Sequence, residues 1–130
     1  MGMIKGLAEI VLWVTDIQKS VGFYRDALGL DIISPRANTS PIFLQAGEGH
    51  AGIPQMIVLV QRPPGVTGPA KPNALHHLAL EVSPADFDSE SQRLSDLGYA
   101  LRTGQHPVIS SRTMYVDDPD GNEVEIICKA

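Results

Sequence analysis

The sequence predicts an α+β protein made of two βαβββ modules with curved mixed sheets. Two observations carry this prediction: an alternating strand pattern followed by an amphipathic helix occurs twice, and a Pro- and Gly-rich segment separates the two occurrences. The expected boundaries are residues 1–62 for the first module, 63–73 for the linker and 74–130 for the second module. At 130 residues the two modules together make one domain.

The first module is predicted to open with a strand over residues 7–14, in which apolar residues alternate between two faces. Asp16 is expected to cap a helix whose apolar positions recur every three or four residues, and Gly29 to end it. Three short apolar runs bounded by Gly and Pro then predict strands at 30–34, 41–46 and 55–61.

The second module repeats this order after the stiff linker. A strand is predicted over 75–82, a helix after Ser83-Pro84 with its end at Gly98, and strands at 99–103, 112–117 and 122–128. Aligning the two halves by these elements sets Glu9 of the first leading strand against His77 of the second. The apolar face of each leading strand should pack on its helix, so Glu9 and His77 should point to the helix-free side.

The last predicted element is a β-hairpin centred on Asp118-Pro119-Asp120-Gly121. Proline presets φ at the second turn position, and glycine supplies a left-handed residue. The strands on either side then bring Tyr115 opposite or diagonal to Glu125.

Composition limits the classes of function. Hydrophobic content of 43% and charged content of 19% indicate a soluble globular protein. A net charge of −5 without a Lys/Arg cluster disfavours nucleic acid as a partner. No apolar run is long enough for a membrane span. The single cysteine, Cys128, excludes an internal disulfide and is typical of a reducing compartment, so we expect a cytoplasmic protein.

Glu9, His77 and Glu125 are the candidate metal ligands. If the two sheets curve toward each other, these side chains meet in one cleft and form a facial set of one imidazole and two carboxylates. Such a set favours Fe(II), Mn(II), Mg(II) or Ni(II) over a structural zinc ion. The alternative is that both glutamates are solvated strand residues and that His77 is a core histidine with its hydrogen bonds satisfied.

Three segments resemble one known superfamily. LWVTDIQKSVGFYRDALGL, LHHLALEV and YVDDPDGNEVEII are similar to the opening, third-quarter and closing signatures of the vicinal-oxygen-chelate superfamily, which contains glyoxalases, bleomycin-resistance proteins and extradiol dioxygenases. The resemblance covers most of the chain. It implies two βαβββ modules that together line a U-shaped, metal-holding cleft.

The resemblance also implies roles for individual residues. His77 and Glu125 match the metal histidine and the closing metal glutamate, and Glu9 occupies the first ligand position, where relatives carry His or Gln. The fourth ligand of glyoxalases and epimerases would fall near Val58, which cannot bind a metal. Tyr115 and His106 match the active-site tyrosine and the outer histidine of extradiol enzymes, which favours that branch.

The expected function is therefore a metal-dependent, extradiol-dioxygenase-like oxidoreductase that acts on a small oxygen-chelating substrate. Fe(II) or Mn(II) is the favoured ion, with Ni(II), Zn(II) or Mg(II) as alternatives. The alternative functions are a glyoxalase- or epimerase-type lyase or isomerase, such as a lactoylglutathione-lyase-like enzyme, and a metal-free ligand-binding protein of the bleomycin-resistance type. The resemblance further implies a homodimer, with the modules pairing either within the chain or across the dimer.

Overall fold

The computed structural model describes residues 2–3, 5–65 and 75–130. Contacts divide the chain into two compact units, Met1–Gly68 and Pro69–Ala130. Each unit contains one four-stranded mixed sheet and the helical segment that follows its first strand, which confirms the α+β class and the two βαβββ modules. Most of the predicted linker lies outside the described residues. Within the described residues, no helix is both long and apolar enough to cross a membrane.

The sheet of the first unit has the strand order β1-β4-β3-β2. Strands β1 and β4 are parallel, and the other two pairs are antiparallel. The elements are β1 (Glu9–Val14), α1 (Ile17–Val21), a π-helical segment (Gly22–Ala27), β2 (Asp31–Ile32), β3 (Ile42–Gly47) and β4 (Gln55–Gln61).

Helix α1 begins where the sequence predicts, because the Asp16 carboxylate accepts hydrogen bonds from the backbone N–H groups of Gln18 and Lys19 at 3.1 and 3.2 Å. The helical segment that α1 and the π-helical residues form together ends at Gly29, which has a φ of 80°. Between these points the helix widens into its π-helical segment, where the Leu28 N–H donates to the carbonyl of residue 23 at 2.9 Å. The strands and α1 thus agree with the prediction, apart from this widening and shifts of a few residues at strand ends.

The core of the first unit lies between the sheet and this helical segment. Strand β1 alternates as predicted: Leu12 and Val14 are buried, whereas Val11 and Trp13 on the opposite face are 53% and 51% exposed. The helical segment buries Val21, Phe23, Tyr24 and Ala27 against the sheet.

The sheet of the second unit repeats this topology with the order β5-β8-β7-β6, and only β5 and β8 are parallel. The elements are β5 (Leu78–Glu81), α2 (Phe87–Asp96), β6 (Arg102–Gly104), β7 (Ser111–Asp117) and β8 (Glu123–Lys129).

Helix α2 ends as predicted, because Gly98 follows its last turn with a φ of 96°, but it begins later than predicted. It begins at Phe87 rather than directly after Ser83-Pro84. Residues 84–86 form a turn before it, in which the Ser83 hydroxyl donates to the Asp86 carboxylate at 2.8 Å. Phe87 and Leu94 are buried, whereas Leu97 is 55% exposed at the helix end. This difference does not alter the sheet face that carries the candidate site.

The predicted closing hairpin is confirmed. Gly121 has a φ of 81°, and its N–H donates to the Asp118 carbonyl at 3.0 Å. Asp118 is 5% exposed, and its carboxylate accepts hydrogen bonds from the N–H groups of Asp120 and Asn122 and from the Asn122 side chain. This turn fixes the register of β7 and β8 and therefore the position of the residues on their helix-free face.

Candidate metal centre

The helix-free face of the second sheet gathers the polar residues that the sequence singled out. Strand pairing sets Ala79 of β5 beside Glu125 of β8, so residues two positions earlier, His77 and Glu123, lie on the same face. Tyr115 of β7 lies directly opposite Glu125. Alternation along three adjacent strands therefore places two carboxylates, an imidazole and a phenol together.

His77 and Glu125 are in direct contact. The Nε2 atom of His77 lies 3.2 Å from Oε1 of Glu125. The His77 side chain is 36% exposed, whereas Glu125 is only 3% exposed. The pair therefore consists of a solvent-accessible imidazole and a buried carboxylate.

The second oxygen of this carboxylate, Glu125 Oε2, is buried and has no hydrogen-bond partner among the described residues. A buried carboxylate oxygen without a donor is costly, because it has lost its hydration and gained nothing in return. A divalent cation bound by this oxygen and by the neighbouring imidazole would remove that cost. The donor set of the second unit could thus hold a metal ion, and the ligand roles of His77 and Glu125 remain predictions.

A second group of donors shares His77. The ligand atoms of His76, His77 and Glu123 all lie within 4.8 Å of one another. Glu123 is already engaged, because Arg102 Nη2 donates to its Oε2 at 3.0 Å and to Asp117 Oδ1 at 2.7 Å. These hydrogen bonds raise the pKa of the Arg102 guanidinium, and the bond to Asp117 contributes most. Arg102 therefore competes with a cation for Glu123. Among the described residues, no side chain bonds to Glu125 Oε2.

Tyr115 lies next to the candidate ligands. Its ring centroid is 6.3 Å from that of His77, at an interplanar angle of 75°. The ring lies against Gly104 of β6: a Cβ atom built on this glycine would lie 2.7 Å from Tyr115 Cε2. The missing side chain at residue 104 leaves the space that the tyrosine ring occupies.

His106 has a defined role in its own loop. Its Nδ1 atom accepts hydrogen bonds from the N–H groups of Val108 and Ile109 at 3.1 and 2.9 Å. In the neutral ring the proton is then on Nε2, so only a donor faces away from the loop. Proton transfer to a substrate by His106 remains a prediction.

The structure places Glu9, the third predicted ligand, as the exposed first residue of β1 in the first unit. Joint ligation by Glu9 with His77 and Glu125 thus remains a prediction. Val58, near the predicted fourth ligand position, is 3% exposed and apolar. Gln61 is a polar residue of the same strand, β4, but its side chain is already hydrogen-bonded to the backbone. It accepts from the Ile17 N–H at 2.9 Å and donates to the Thr15 carbonyl at 2.6 Å.

Four polar residues of the second unit were not predicted as site residues: His76, Glu123, Arg102 and Thr113. Glu123 could have been found, because it precedes Glu125 by two residues and a strand returns to the same face at that spacing. Thr113 shares the face by the same rule, and its buried hydroxyl has no hydrogen-bond partner among the described residues. No local signal marks Arg102, because its partners are distant in sequence.

Comparisons with known proteins give relatives of several activities. The chain is 28% identical over 130 residues to "Metallothiol transferase FosB" of Staphylococcus haemolyticus, covering 95% of this chain and 84% of that protein. It is 27% identical over 122 residues to "Lactoylglutathione lyase" of Salmonella typhimurium, covering 93% and 90%. It is 31% identical over 126 residues to "Metapyrocatechase 2" of Cupriavidus necator, covering 92% of this chain but 35% of that protein.

The fold is shared with solved structures. A crystal structure of a glyoxalase/dioxygenase from Nostoc punctiforme superposes with a TM-score of 0.77 at 24% identity, covering 99% of this chain and 94% of that one. Residues 6–126 match the family described as the Glyoxalase/Bleomycin resistance protein/Dioxygenase superfamily. The resemblance predicted from three sequence segments is thereby confirmed over nearly the whole chain: this protein belongs to the glyoxalase/bleomycin resistance protein/dioxygenase superfamily.

Proposed function

We propose that the protein is a divalent-metal-dependent enzyme that binds a small substrate through the substrate's oxygen atoms. The observation that carries this proposal is the buried, unpartnered oxygen of Glu125 next to the imidazole of His77. In a metal-free binding protein this oxygen would lack a partner among the described residues, at a cost in stability. The proposed ligands are His77, Glu125 and, from the first unit, Glu9.

A bound cation would polarise a substrate oxygen and stabilise negative charge that develops on it. The chain's own residues would do the rest. The phenol of Tyr115, next to His77 on the helix-free face, would donate a hydrogen bond to a substrate oxygen. Gly104 would keep that phenol in place by leaving room for its ring. His106, with its proton on Nε2, would act as a hydrogen-bond donor.

Lewis-acid chemistry, as in a transferase or lyase, is the branch that we favour. One imidazole with two carboxylates is an oxygen-rich set, which suits Mn(II) or Mg(II) and differs from the two-histidine set of non-haem iron oxygenases. The FosB and lactoylglutathione lyase relatives also match this chain over most of their own length. Glutathione or another thiol would be the co-substrate in that case.

The extradiol-dioxygenase-like function predicted from the sequence is the second candidate, with Fe(II) or Mn(II) as its ion. Its support is the position of Tyr115 beside His77, together with the identity to metapyrocatechase 2. The likeness covers only 35% of that enzyme, so it supports a shared module.

The first test is metal binding. Purified protein treated with a chelator and then titrated with Mn(II), Fe(II), Ni(II), Zn(II) or Mg(II) should take up about one ion per chain, and Glu125→Ala and His77→Ala should take up none. Glu81→Ala is a matched control, because Glu81 is an exposed carboxylate at the far end of β5. Equal uptake by wild type and Glu125→Ala would overturn the proposal.

The second test separates the two branches. The metal-loaded protein would be assayed for oxygen consumption with a panel of catechols, and for loss of glutathione thiol with electrophilic substrates and 2-oxoaldehydes. Glutathione loss that depends on His77, without oxygen uptake, supports the transferase or lyase branch. Oxygen uptake with a catechol that is lost in Tyr115→Phe supports the dioxygenase branch.

Two further predictions belong to this proposal. A homodimer would elute from size exclusion with a light-scattering mass of twice the chain mass, and a mass equal to one chain would contradict it. A cytoplasmic location is proposed from the single cysteine, Cys128, which is free and buried.

A further inference from the structure

The proposed function leaves one close contact of His77 unused. The Nδ1 atoms of His76 and His77 lie 2.7 Å apart, and the ring centroids are 4.9 Å apart at 71°. Two ring nitrogens at this distance form a hydrogen bond, in which one nitrogen carries the proton and the other accepts it. The tautomers of the two histidines are therefore coupled.

Only two neutral arrangements satisfy this contact. In the first, His76 donates from Nδ1 to His77, and the His77 proton is on Nε2, where it can be donated to Glu125 Oε1 at 3.2 Å. In the second, His77 donates from Nδ1 to His76, and its Nε2 atom presents a lone pair beside the Glu125 carboxylate. A lone pair facing a carboxylate is repulsive unless a cation lies between them.

The second arrangement is the one that a metal site requires. A histidine that binds a metal through one nitrogen usually donates the N–H of the other to an acceptor, which fixes the tautomer and the ring orientation. Within the described part of the chain, the structure gives His77 Nδ1 one hydrogen-bond partner, His76. His76 is exposed, so water can accept from its Nε2–H group once Nδ1 serves as acceptor.

We infer that His76 is a positioning residue, which accepts a hydrogen bond from His77 Nδ1 and thereby keeps His77 Nε2 available for the cation. This inference rests on the proposed metal-dependent function. It also assigns His76 a role outside the ligand set, although its ligand atom belongs to a group that could hold an ion. Its Nδ1 atom cannot accept from His77 and bind a cation at the same time.

The test compares two substitutions of His76. His76→Phe keeps an aromatic ring but has no acceptor, and it should weaken Mn(II) binding by about 10–100-fold. His76→Gln retains a carbonyl oxygen that can accept from His77 Nδ1, and it should restore most of the affinity. Affinities would be measured by titration calorimetry at one fixed pH. Replacing Mn(II) with Co(II) gives a second readout, because a changed orientation of His77 shifts the visible absorption of the bound ion.

A matched control is His50→Phe, which removes an exposed histidine from the first unit and should leave Mn(II) affinity unchanged. If wild type binds Mn(II) and His76→Phe binds it equally tightly with an unchanged Co(II) spectrum, the inference about His76 is wrong while the metal site stands. If His76→Phe takes up no ion at all, even at high concentration, His76 is itself a ligand and the inference is again wrong. If wild type binds no divalent ion, the proposed function fails first.

Discussion

Replacing Glu125 by methionine should raise the stability of the metal-free protein. Methionine keeps an unbranched side chain of similar length at a position that is 3% exposed, and it removes the carboxylate oxygen that has no partner. An unsatisfied buried polar group costs about 1–3 kcal/mol, and a charged one costs more. The variant also loses the contact between Glu125 and His77, which reduces the gain in stability. This loss is small, because the His77 side chain is 36% exposed and can hydrogen-bond to water. The net expectation is a free energy of unfolding about 1–2 kcal/mol higher than that of wild type.

The same substitution should remove stabilisation by metal. An ion that binds the folded protein alone, at a concentration 100 times its Kd, stabilises that protein by about 2.7 kcal/mol. Wild type should gain about this amount when Mn(II) is added, and Glu125→Met should gain nothing. The variant should therefore be the more stable protein with a chelator and the less stable one with the metal.

Urea denaturation followed by circular dichroism, with a chelator and with Mn(II), measures both effects. Glu123→Met is the matched control: it removes the other glutamate of β8 on this face, whose exposed ion pair with Arg102 contributes about 0–1 kcal/mol, and it should keep the gain from metal. A Glu125→Met protein that is less stable than wild type in chelator would refute the argument about the unpartnered oxygen. If Mn(II) stabilises Glu125→Met but not Glu123→Met, the ion is instead bound by the group of His76, His77 and Glu123.

Three further predictions concern the second unit. Thr113→Val should raise the free energy of unfolding by about 1 kcal/mol, because it removes a buried hydroxyl that has no partner among the described residues. A lower urea midpoint than that of wild type would contradict this. Asp118→Ala should lower the free energy of unfolding by about 2–4 kcal/mol, because the Asp118 carboxylate accepts three hydrogen bonds at the closing turn. A much smaller loss, measured by calorimetric melting, would mean that the turn does not depend on these hydrogen bonds. The hydrogen bond from Arg112 lowers the pKa of the Asp88 carboxyl in the folded protein. This ion pair therefore stabilises the folded protein above the ordinary carboxyl pKa, and the stabilisation is lost as the pH falls through the lowered folded-state value. Melting temperatures of wild type and Asp88→Ala should accordingly differ near pH 7 and converge near about pH 2, and a difference that stays constant would argue against this ion pair.

Local rules predicted most of the fold. Alternation identified the strands, Asp16 and Gly29 marked the ends of the first helical segment, and the closing turn identified the last hairpin, because each of these signals depends on a few neighbouring residues. The π-helical segment was missed for a physical reason. The buried residues Ser20, Phe23, Tyr24 and Ala27 lie at i, i+3, i+4 and i+7, as on one face of an ordinary α-helix. Their spacing therefore gave no sign of the wider turn.

The candidate site could be predicted only in part. The contact of His77 with Glu125 follows from the alignment of two strands and from the family signatures. The partners of Glu123 and of His77 Nδ1 depend on side-chain conformation, which periodicity does not specify. Arg102 approaches Glu123 from two strands away, so no spacing along the chain could have indicated it.

The contact between Gly104 and Tyr115 limits which substitutions each of these two positions accepts. A glycine in a strand is normally replaceable by any residue that tolerates extended backbone, at little cost and often with a gain. At residue 104 the added carbon would meet the Tyr115 ring at 2.7 Å, so even alanine forces the ring to move. A library covering residues 104 and 115 should therefore show them to be dependent on each other, with side chains accepted at 104 only where a smaller residue has replaced the tyrosine.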